Sequence, residues 1–324
     1  MNTSRIHASA KRALVLIALT AAASVAVAAD YPARPVELVV AATAGGGTDV
    51  MARAFADTAR KYFPQPFITV NKPGASSAIG FADVANAKPD GYKVGVMSVN
   101  LIILPELGLM KVTSDDFTPV AQLNYDPSAI TVRADAPWKT VEEFIADAKK
   151  RPGQMMVGNG GVGDIWHVAA AAFEDRTGTQ FNHVPFQGAA PAILSLLGGH
   201  VEAITVSPGE VMSHIQSGKL RTLAVMADQR LPAPFANVPT LKERSIDLSI
   251  GVWRGLAVPK GTPPEAVNAL RDAARKTASD PAFKAALAKP NLGEAYLEGD
   301  AFKTAMDTER QALKKVLSKL VIQK

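Results

Sequence analysis

The sequence predicts an α/β protein of two lobes, and three observations support this class. Apolar runs of strand length alternate with helix-like runs from start to finish, which is typical of α/β proteins with largely parallel sheets. Glycine-rich turns join two of the strands to the helices that follow them. Two long extended segments, near residues 118–133 and 248–259, are placed to carry the chain between the lobes and back. We therefore expect two lobes, each a mostly parallel sheet flanked by helices, joined by two crossing strands.

The N-terminus has the pattern of a secretory signal peptide, predicted over residues 1–29. Arg5, Lys11 and Arg12 precede an apolar run that ends in small residues, an order that distinguishes a signal peptide from a spanning helix. Its removal leaves 32 Lys and Arg against 30 Asp and Glu, so the net charge falls from +5 to +2. The remaining charge is not concentrated as on a nucleic-acid-binding surface, and we expect no nucleic-acid partner.

The sequence contains no cysteine. This excludes disulfides, thiolate metal sites, a cysteine nucleophile and a lipid-modified N-terminal cysteine. An exported chain without a lipid anchor diffuses freely, which is useful only in an enclosed space. We therefore predict a monomer in the periplasm, with no membrane-spanning segment after the leader.

The first lobe is predicted over residues 30–128 and 250–324. Turn clusters at Asn71–Gly74 and Lys88–Gly91 separate its early elements. These elements are the strands Val36–Ala42, Phe67–Val70 and Lys93–Ser98 and the helices Thr48–Tyr62 and Ile79–Asn86. The returning part is predicted as the strand Ser249–Pro259 and the helices Pro263–Ala278, Pro281–Ala288 and Asp300–Leu320.

The second lobe is predicted over residues 129–249, inserted in the first. Thr140 and Glu143 have the spacing of a capping box and start the helix Val141–Lys150. Gly218 ends the helix Glu210–Gln216. The other predicted elements are the strands Met155–Val157, Phe181–Phe186, Val201–Val206 and Arg221–Ala227 and the helices Asp164–Asp175 and Ala189–Leu197.

Two glycine loops follow strands and open helices, at residues 44–49 and 158–163. The second has the spacing G-x-G-x-x-G, but a dinucleotide site needs a carboxylate at the end of the next strand, where this chain has Gln187 and Gly188. The first lacks the G-K-[ST] ending of a phosphate-binding loop. Nucleotide binding is therefore rejected for both loops.

The sequence offers no convincing catalytic or metal site. It has no G-x-S-x-G elbow and no H-E-x-x-H helix. The four histidines after the leader, none at metal-ligand spacing, are His167, His183, His200 and His214. We expect no metal, no cofactor and no enzymatic activity.

Glycine loops at helix starts also bind anions without nucleotide chemistry. The first turn of a helix presents unpaired N–H groups and a partial positive charge, and glycine lets the backbone approach a ligand closely. Either loop alone is more often a tight turn. Two such loops, one in each predicted lobe, favour a cleft that suits a dicarboxylate.

Several short motifs of the sequence occur in the order and at the spacing of a known protein family. The chain is similar to the periplasmic solute-binding proteins of tripartite tricarboxylate transporters, the Bug family, over almost the whole sequence after the leader. The segments that carry the similarity are Tyr31–Pro35, Gly45–Asp49, Asn71–Gly74, Lys88–Tyr92, His183–Gly188, Leu196–Glu202, Ser217–Arg221, Val238–Thr240 and Trp253–Gly255.

The resemblance implies a type II-like periplasmic binding protein fold that closes on a small organic carboxylate, either a di- or tricarboxylate or an aromatic carboxylate. It also implies delivery of this ligand to the large and small membrane subunits of the transporter. A solute sensor for a receptor kinase and a periplasmic enzyme acting on a carboxylate are the alternatives. The ligand-binding residues carried over are Thr43, Gly46, Gly47, Thr48, Asp49, Ser76, Ser77, Ala78, Ser98, Asn100, Gly163, Asp164, His167, Ser207 and Arg254.

Some of these positions have two interpretations. An ionised Asp164 repels a carboxylate and favours a hydroxyl or ammonium on the ligand, unless it caps its own helix. Asp49 interacts favourably with a helix dipole without touching ligand. Arg254 matches a carboxylate bidentately, but an arginine in a strand is also commonly paired with an acid. Trp166 and Trp253 are placed either to stack on an aromatic ligand or to pack in the core.

Overall fold

The structure is a computed structural model that describes residues 31–318. The predicted signal peptide lies outside the described residues. The strands alternate with helices along most of the chain, as the sequence predicts. They are β1 Val36–Val40, β2 Phe67–Asn71, β3 Lys93–Ser98, β4 Phe117–Pro127, β5 Ala129–Arg133, β6 Met156–Asn159, β7 Asn182–Pro185, β8 Ala203–Ile204, β9 Leu220–Val225, β10 Gly251–Pro259 and β11 Glu294–Glu298.

The helices pack their apolar sides against the faces of the two sheets. They are α1 Gly47–Ala59, α2 Ala78–Ala85, α3 Asn100–Glu106, α4 Val141–Lys150, α5 Ile165–Thr177, α6 Ala189–Leu197, α7 Met212–Gln216, α8 Pro264–Ser279, α9 Pro281–Ala288 and α10 Gly299–Leu317. Short 3₁₀ turns precede α2 and α7, at Ala75–Ser77 and Pro208–Val211. None of the helices within residues 31–318 is long and apolar enough to cross a membrane.

The strands form two sheets. The six-stranded sheet has the order β11-β4-β10-β3-β1-β2, and the five-stranded sheet has the order β7-β6-β8-β5-β9. The predicted two-lobed α/β class is confirmed. Both sheets are mixed. In the first, β1 is parallel to β2 and β3 whereas β10 is antiparallel to β3 and to β4. In the second, β6 is parallel to β7 and β8 whereas β5 is antiparallel to β8 and β9.

The antiparallel pairs come from the strands that connect the sheets. β4 leads directly into β5 of the second sheet through Ser128, and β10 returns from residue 251 beside β4 in the opposite direction. Every residue of β10 is buried, because this strand lies in the middle of the sheet with helices on both faces. The boundaries 30–128, 129–249 and 250–324 stay a prediction.

Two elements were not predicted. Residues 100–104 of α3 are all buried, so the helix shows no polar face from which to read a period of 3.6. β11 lies at the sheet edge and pairs with β4 irregularly, and the sequence predicted only helix after β10. β8 has two residues where the sequence predicted six, because only Ala203 and Ile204 hold a ladder with β5.

Candidate functional site

A cavity lies between the two sheets, outside the carboxyl ends of β1, β2, β3 and β6. This is where open α/β sheets bind ligands. Its volume of about 60 Å³ corresponds to roughly five water molecules. The residues that line it are Ala41, Ala42, Thr43, Gly46, Gly47, Thr48, Pro73, Gly74, Ser76, Ser77, Ser98, Asn100, Gly160, Asp164, Ile165, Trp166, Gln187, Gly188, Ala189, Glu210, Val252 and Arg254.

The first glycine loop joins β1 to α1. Gly45 has a φ of 84°, a conformation that favours glycine, and Gly46 is the N-cap. No side chain of the loop itself caps α1. Instead the Gly47 N–H donates to Glu210 Oε1 over 2.9 Å. The helix start therefore binds an anion as expected, and this anion belongs to the chain.

Arg254 lies at the centre of a buried polar network. Its side chain is 1% exposed, and its Nε donates to Thr48 Oγ1 at 2.9 Å. Its Nη1 donates to Asn124 Oδ1 at 2.6 Å and forms a short ion pair with Asp126. Its Nη2 lies 3.5 Å from Glu210 Oε1. Of the two sequence interpretations, the structure shows the pairing with acids, at a residue that also lines the cavity.

Glu210 was missed by the sequence analysis. It lies in the 3₁₀ turn after β8, where its Oε2 accepts the Ser207 N–H at 3.3 Å and the Ser207 hydroxyl at 3.2 Å. Burial raises the pKa of Glu210, and the charge of Arg254 opposes this increase. The Ser-Pro-Gly-Glu spacing of a capping box was the available signal.

Asp164 caps α5. Its Oδ1 accepts the Trp166 N–H at 2.9 Å, and its Oδ2 accepts from Asn100 Nδ2 at 2.8 Å. Asn100 Oδ1 in turn accepts the Ile165 N–H at 3.0 Å. Burial raises the pKa of Asp164 to about 6, and the nearby charge of Glu210 adds to this shift. The structure thus shows the capping role that the sequence offered as one alternative.

The second glycine loop leaves β6 with Gly161 at φ 131° and Gly163 at φ 73°. A Cβ on Gly163 would be 2.6 Å from Leu109 Cδ1, so this residue faces apolar side chains and not the cavity. Its N–H donates to His167 Nδ1 at 3.1 Å. Burial, followed by the neighbouring His183, lowers the pKa of His167 to about 4, which keeps this imidazole neutral at pH 7.

A serine turn faces the second glycine loop across the cavity. Ser76 and Ser77 have φ values of 54° and 89°. Ser76 Oγ donates to the Val162 carbonyl at 2.8 Å, and the Ser76 carbonyl accepts from Asn100 Nδ2 at 3.0 Å. Hydrogen bonds through Ser76 and Asn100 therefore hold the elements of the two sheets together at the cavity.

Most residues predicted for the site meet in this cavity. Those that line it are Thr43, Gly46, Gly47, Thr48, Ser76, Ser77, Ser98, Asn100, Asp164 and Arg254. Those that do not are Asp49, Ala78, Gly163, His167 and Ser207.

The five other residues have structural contacts. Asp49 accepts from Gly45 N and Arg53 Nε, and Ser207 bonds Glu210. Ala78 begins α2 one residue beyond the lining.

The two tryptophans are packed in the structure. Trp166 lines the cavity but is 4% exposed, and Trp253 packs edge-on against Phe302 with ring centroids 5.0 Å apart.

The described part of the chain shows no cluster of side chains placed to bind a metal ion. Across residues 31–318, no group of three or more His, Cys, Asp or Glu residues is placed to hold a metal ion. The cavity offers instead hydroxyls, backbone N–H groups, one guanidinium and two buried carboxylates. Such a set binds and orients a small polar molecule by hydrogen bonds.

Comparison with known proteins gives a family match. The model of the family described as "Tripartite tricarboxylate transporter family receptor" matches residues 51–321. A UPF0065 protein in the gbd 5'region of Cupriavidus necator is 35% identical over 301 residues, 91% of this chain and 89% of that protein. Protein BugT of Bordetella pertussis is 34% identical over 255 residues, 76% of this chain and 78% of that protein.

Solved structures of similar proteins cover most of the chain. A TctC solute-binding protein from Polaromonas with no ligand is 59% identical, with a TM-score of 0.68 over 90% of this chain and 100% of that chain. A Rhodopseudomonas palustris protein with adipate is 26% identical, with a TM-score of 0.85 over 89% and 98%. MatC of the same organism with bound malate is 25% identical, with a TM-score of 0.82 over 89% and 100%.

Proposed function

Because the chain belongs to the tripartite tricarboxylate transporter receptor family, we propose that it captures a small organic carboxylate in the cavity and delivers it to the membrane subunits of such a transporter. Members of this family and its structural neighbours are solute-binding proteins, so the chain is a solute-binding protein and not an enzyme. The ligand, the membrane partners and the periplasmic location are our proposal. A location in the periplasm fits the predicted signal peptide, and the absence of cysteine fits a protein without a lipid anchor.

The convergence of helix N-termini on one cavity carries the proposal. α1, α2, α5 and α6 each contribute residues of their first turn or N-cap to the lining. Each helix start contributes a partial positive charge, and the starts of α2 and α6 have no side-chain cap, which favours a carboxylate without a covalent step. Thr43 and Ser98 add hydroxyls next to these helix starts.

Relatives support a carboxylate of a few carbon atoms. Malate and adipate are bound by the two Rhodopseudomonas palustris proteins. The hydroxyls and helix starts that line the cavity suit a molecule of that kind. The broader expectation of a di- or tricarboxylate or an aromatic carboxylate is narrowed to a small aliphatic acid.

Hinge closure is part of the proposal. The Polaromonas protein is 59% identical yet superposes at a TM-score of 0.68, whereas the proteins with adipate and malate superpose at 0.85 and 0.82. We attribute this order to a different angle between two otherwise similar lobes. Closure excludes water and adds contacts from the second lobe, so the affinity for the ligand depends on the residues of both lobes.

Thermal-shift measurements on the purified protein with a panel of C3 to C6 carboxylates and their monoamides test the proposal. A ligand that binds the native state raises the melting temperature, by an amount that grows with its concentration relative to Kd. We expect at least one member of the panel to raise Tm by more than 5 °C at 1 mM, with one-to-one binding in calorimetry. Absence of any shift, or consumption of the ligand with turnover, would contradict the proposed function.

A further inference from the structure

The cavity has an unfavourable charge for a dicarboxylate. Its one lining cation, among the described residues, is Arg254, and this guanidinium already pairs with Asp126 behind the cavity wall. The lining also includes the carboxylates of Glu210 and Asp164, both buried. With both acids ionised, the cavity and the network behind it carry more negative than positive charge. A ligand with two carboxylates would add two more negative charges to this enclosed space.

Glu210 occupies the anion site of α1. Its Oε1 accepts the Gly47 N–H at 2.9 Å and lies 3.5 Å from Arg254 Nη2. The N-terminus of α1 and the guanidinium of Arg254 are the two groups of the first lobe that best match a carboxylate. Glu210 accepts the N–H at the helix start and lies at ion-pair distance from Nη2, whereas Thr48, Asn124 and Asp126 take up the rest of the guanidinium. A ligand carboxylate at this place would have to displace Glu210.

Asp164 occupies the N-terminus of α5 in the same way. Its two oxygens accept from Trp166 N and Asn100 Nδ2, at 2.9 and 2.8 Å. The charge of Glu210 is close enough to raise the pKa of Asp164. The two acids therefore belong to one electrostatic environment, and that environment favours a hydrogen-bond donor or a positive group.

A different helix start is open to the ligand carboxylate. α6 has nine residues, its N-cap is Gly188, and no described side chain caps it. A Cβ on Gly188 would be 2.9 Å from Thr43 Oγ1, so the threonine hydroxyl of the first wall lies directly at this helix start. Gly188, Ala189 and Thr43 all line the cavity. The cavity thus has an anion-binding end and an acidic end.

We propose that Glu210 and Asp164 determine specificity, and that the ligand is a small monocarboxylate carrying an ammonium or carboxamide nitrogen. The carboxylate binds at α6 and Thr43, and the nitrogen donates to the carboxylates of Glu210 and Asp164. This inference rests on the proposed function and narrows its ligand class. It also reverses the expectation of a dicarboxylate. The acidic end of the cavity repels a second carboxylate, but it accepts a hydrogen bond from the N–H of an amide in the same place.

Matched dicarboxylates and monoamides test this inference by isothermal calorimetry at pH 8. Succinate and succinamate, and adipate and adipamate, differ only by an amide NH₂ in place of a carboxylate oxygen. The wild-type protein is expected to bind the monoamide of a pair at least tenfold more tightly than the dicarboxylate. A dicarboxylate that binds as tightly as its monoamide would overturn the inference and leave the proposed function standing. Binding of no member of either series, nor of the ω-amino acids of the same chain lengths, would contradict both.

The variant Glu210→Gln assigns the effect to a residue. Glutamine keeps the size and the oxygen that accepts the Gly47 N–H, but it removes the charge. We expect the preference for the monoamide to fall at least tenfold, mainly because the dicarboxylate binds more tightly. Asp164→Asn is expected to change the ratio in the same direction.

Glu143→Gln is the matched control, because Glu143 is also the acid of a capping box, at the start of α4, and does not line the cavity. Its ratio of affinities should equal that of the wild type. An unchanged ratio in both Glu210→Gln and Asp164→Asn would overturn the assignment.

Discussion

Arg254 shows how burial changes the role of a residue. The sequence singled it out because guanidinium matches carboxylate, and the structure satisfies it with Asp126, Asn124, Thr48 and Glu210. Removing one partner of a buried ion pair leaves an uncompensated charge and costs several kcal/mol. Arg254 therefore holds the cavity wall together, and its loss would affect folding before it affected ligand choice.

Asp164 makes a pH-dependent contribution to stability. Its pKa rises from the ordinary 3.8 to about 6 in the folded chain, because burial disfavours the charged form. The folded chain thus binds this proton more tightly, so the contribution to stability is full below pH 4 and is lost as the pH rises through 6. We expect the free energy of unfolding of the wild type, relative to Asp164→Asn, to fall by about 2 kcal/mol between pH 4 and pH 7.

Urea denaturation of both proteins at pH 4, 5, 6 and 7 measures this difference. The titrating groups that do not interact with Asp164 are common to the two proteins and cancel in the comparison. A difference in unfolding free energy that stays constant over this range would show that Asp164 titrates normally.

At the scale of elements, the start of α1 depends on Gly47 having no side chain. A Cβ on Gly47 would lie 2.7 Å from Arg254 Nη2 and 3.0 Å from Glu210 Oε1. Arg254 cannot move away, because Thr48, Asn124 and Asp126 hold it. We expect Gly47→Ala to separate Glu210 from the helix start and to lower the affinity for the best ligand of the carboxylate panel more than tenfold, measured by calorimetry.

Gly46→Ala is the control for this prediction. A Cβ on Gly46 would meet its nearest atoms at 3.7 and 3.9 Å, and the φ of −79° suits any residue. The substitution weakens the N-cap but leaves the Glu210 contact in place. Its affinity should stay within about threefold of the wild type, because the added methyl group has ordinary van der Waals room beside the cavity. Equal losses in the two variants would show that the fit around Gly47 is unimportant.

Local sequence signals predicted three helices to the residue. α4 is set by the capping box of Thr140 and Glu143, which the structure contains. α6 begins after Gly188 and ends before Gly198, and α9 begins at Pro281 after the capping residue Asp280. Such signals are local and survive without tertiary context. α3 and β11 have no comparable boundary signal, because burial and edge pairing define them.

At the scale of the whole molecule, the two sheets are held in a closed arrangement by side chains at the cavity. Ser76 donates to Val162, Asn100 bonds Asp164 and Ile165, and Glu210 accepts from Gly47. These contacts are few and polar, and the binding energy of a ligand is comparable with what they contribute. We therefore expect the interlobe angle to change when the cavity is filled, as the proposed hinge closure requires.

Small-angle X-ray scattering tests this property. We expect the ligand-free protein to have a larger radius of gyration than the protein saturated with the best ligand of the panel. The saturated value should approach about 19 Å, as for a compact chain of this length. Asn100→Ala removes two of the bridging hydrogen bonds and should expand the ligand-free protein further. Identical scattering with and without ligand would contradict closure.

The sequence by itself determined the class of fold, the order of most elements, the family and ten of the residues that line the cavity. These follow from periodicity, capping and short motifs, which are local in the chain. Only the tertiary structure decided that Glu210, 163 positions away from Gly47, satisfies the helix start that looked free for a ligand. It also decided that Arg254 is enclosed by acids. The physical reason is that charge balance and desolvation are properties of neighbours in space, and distant segments supply those neighbours.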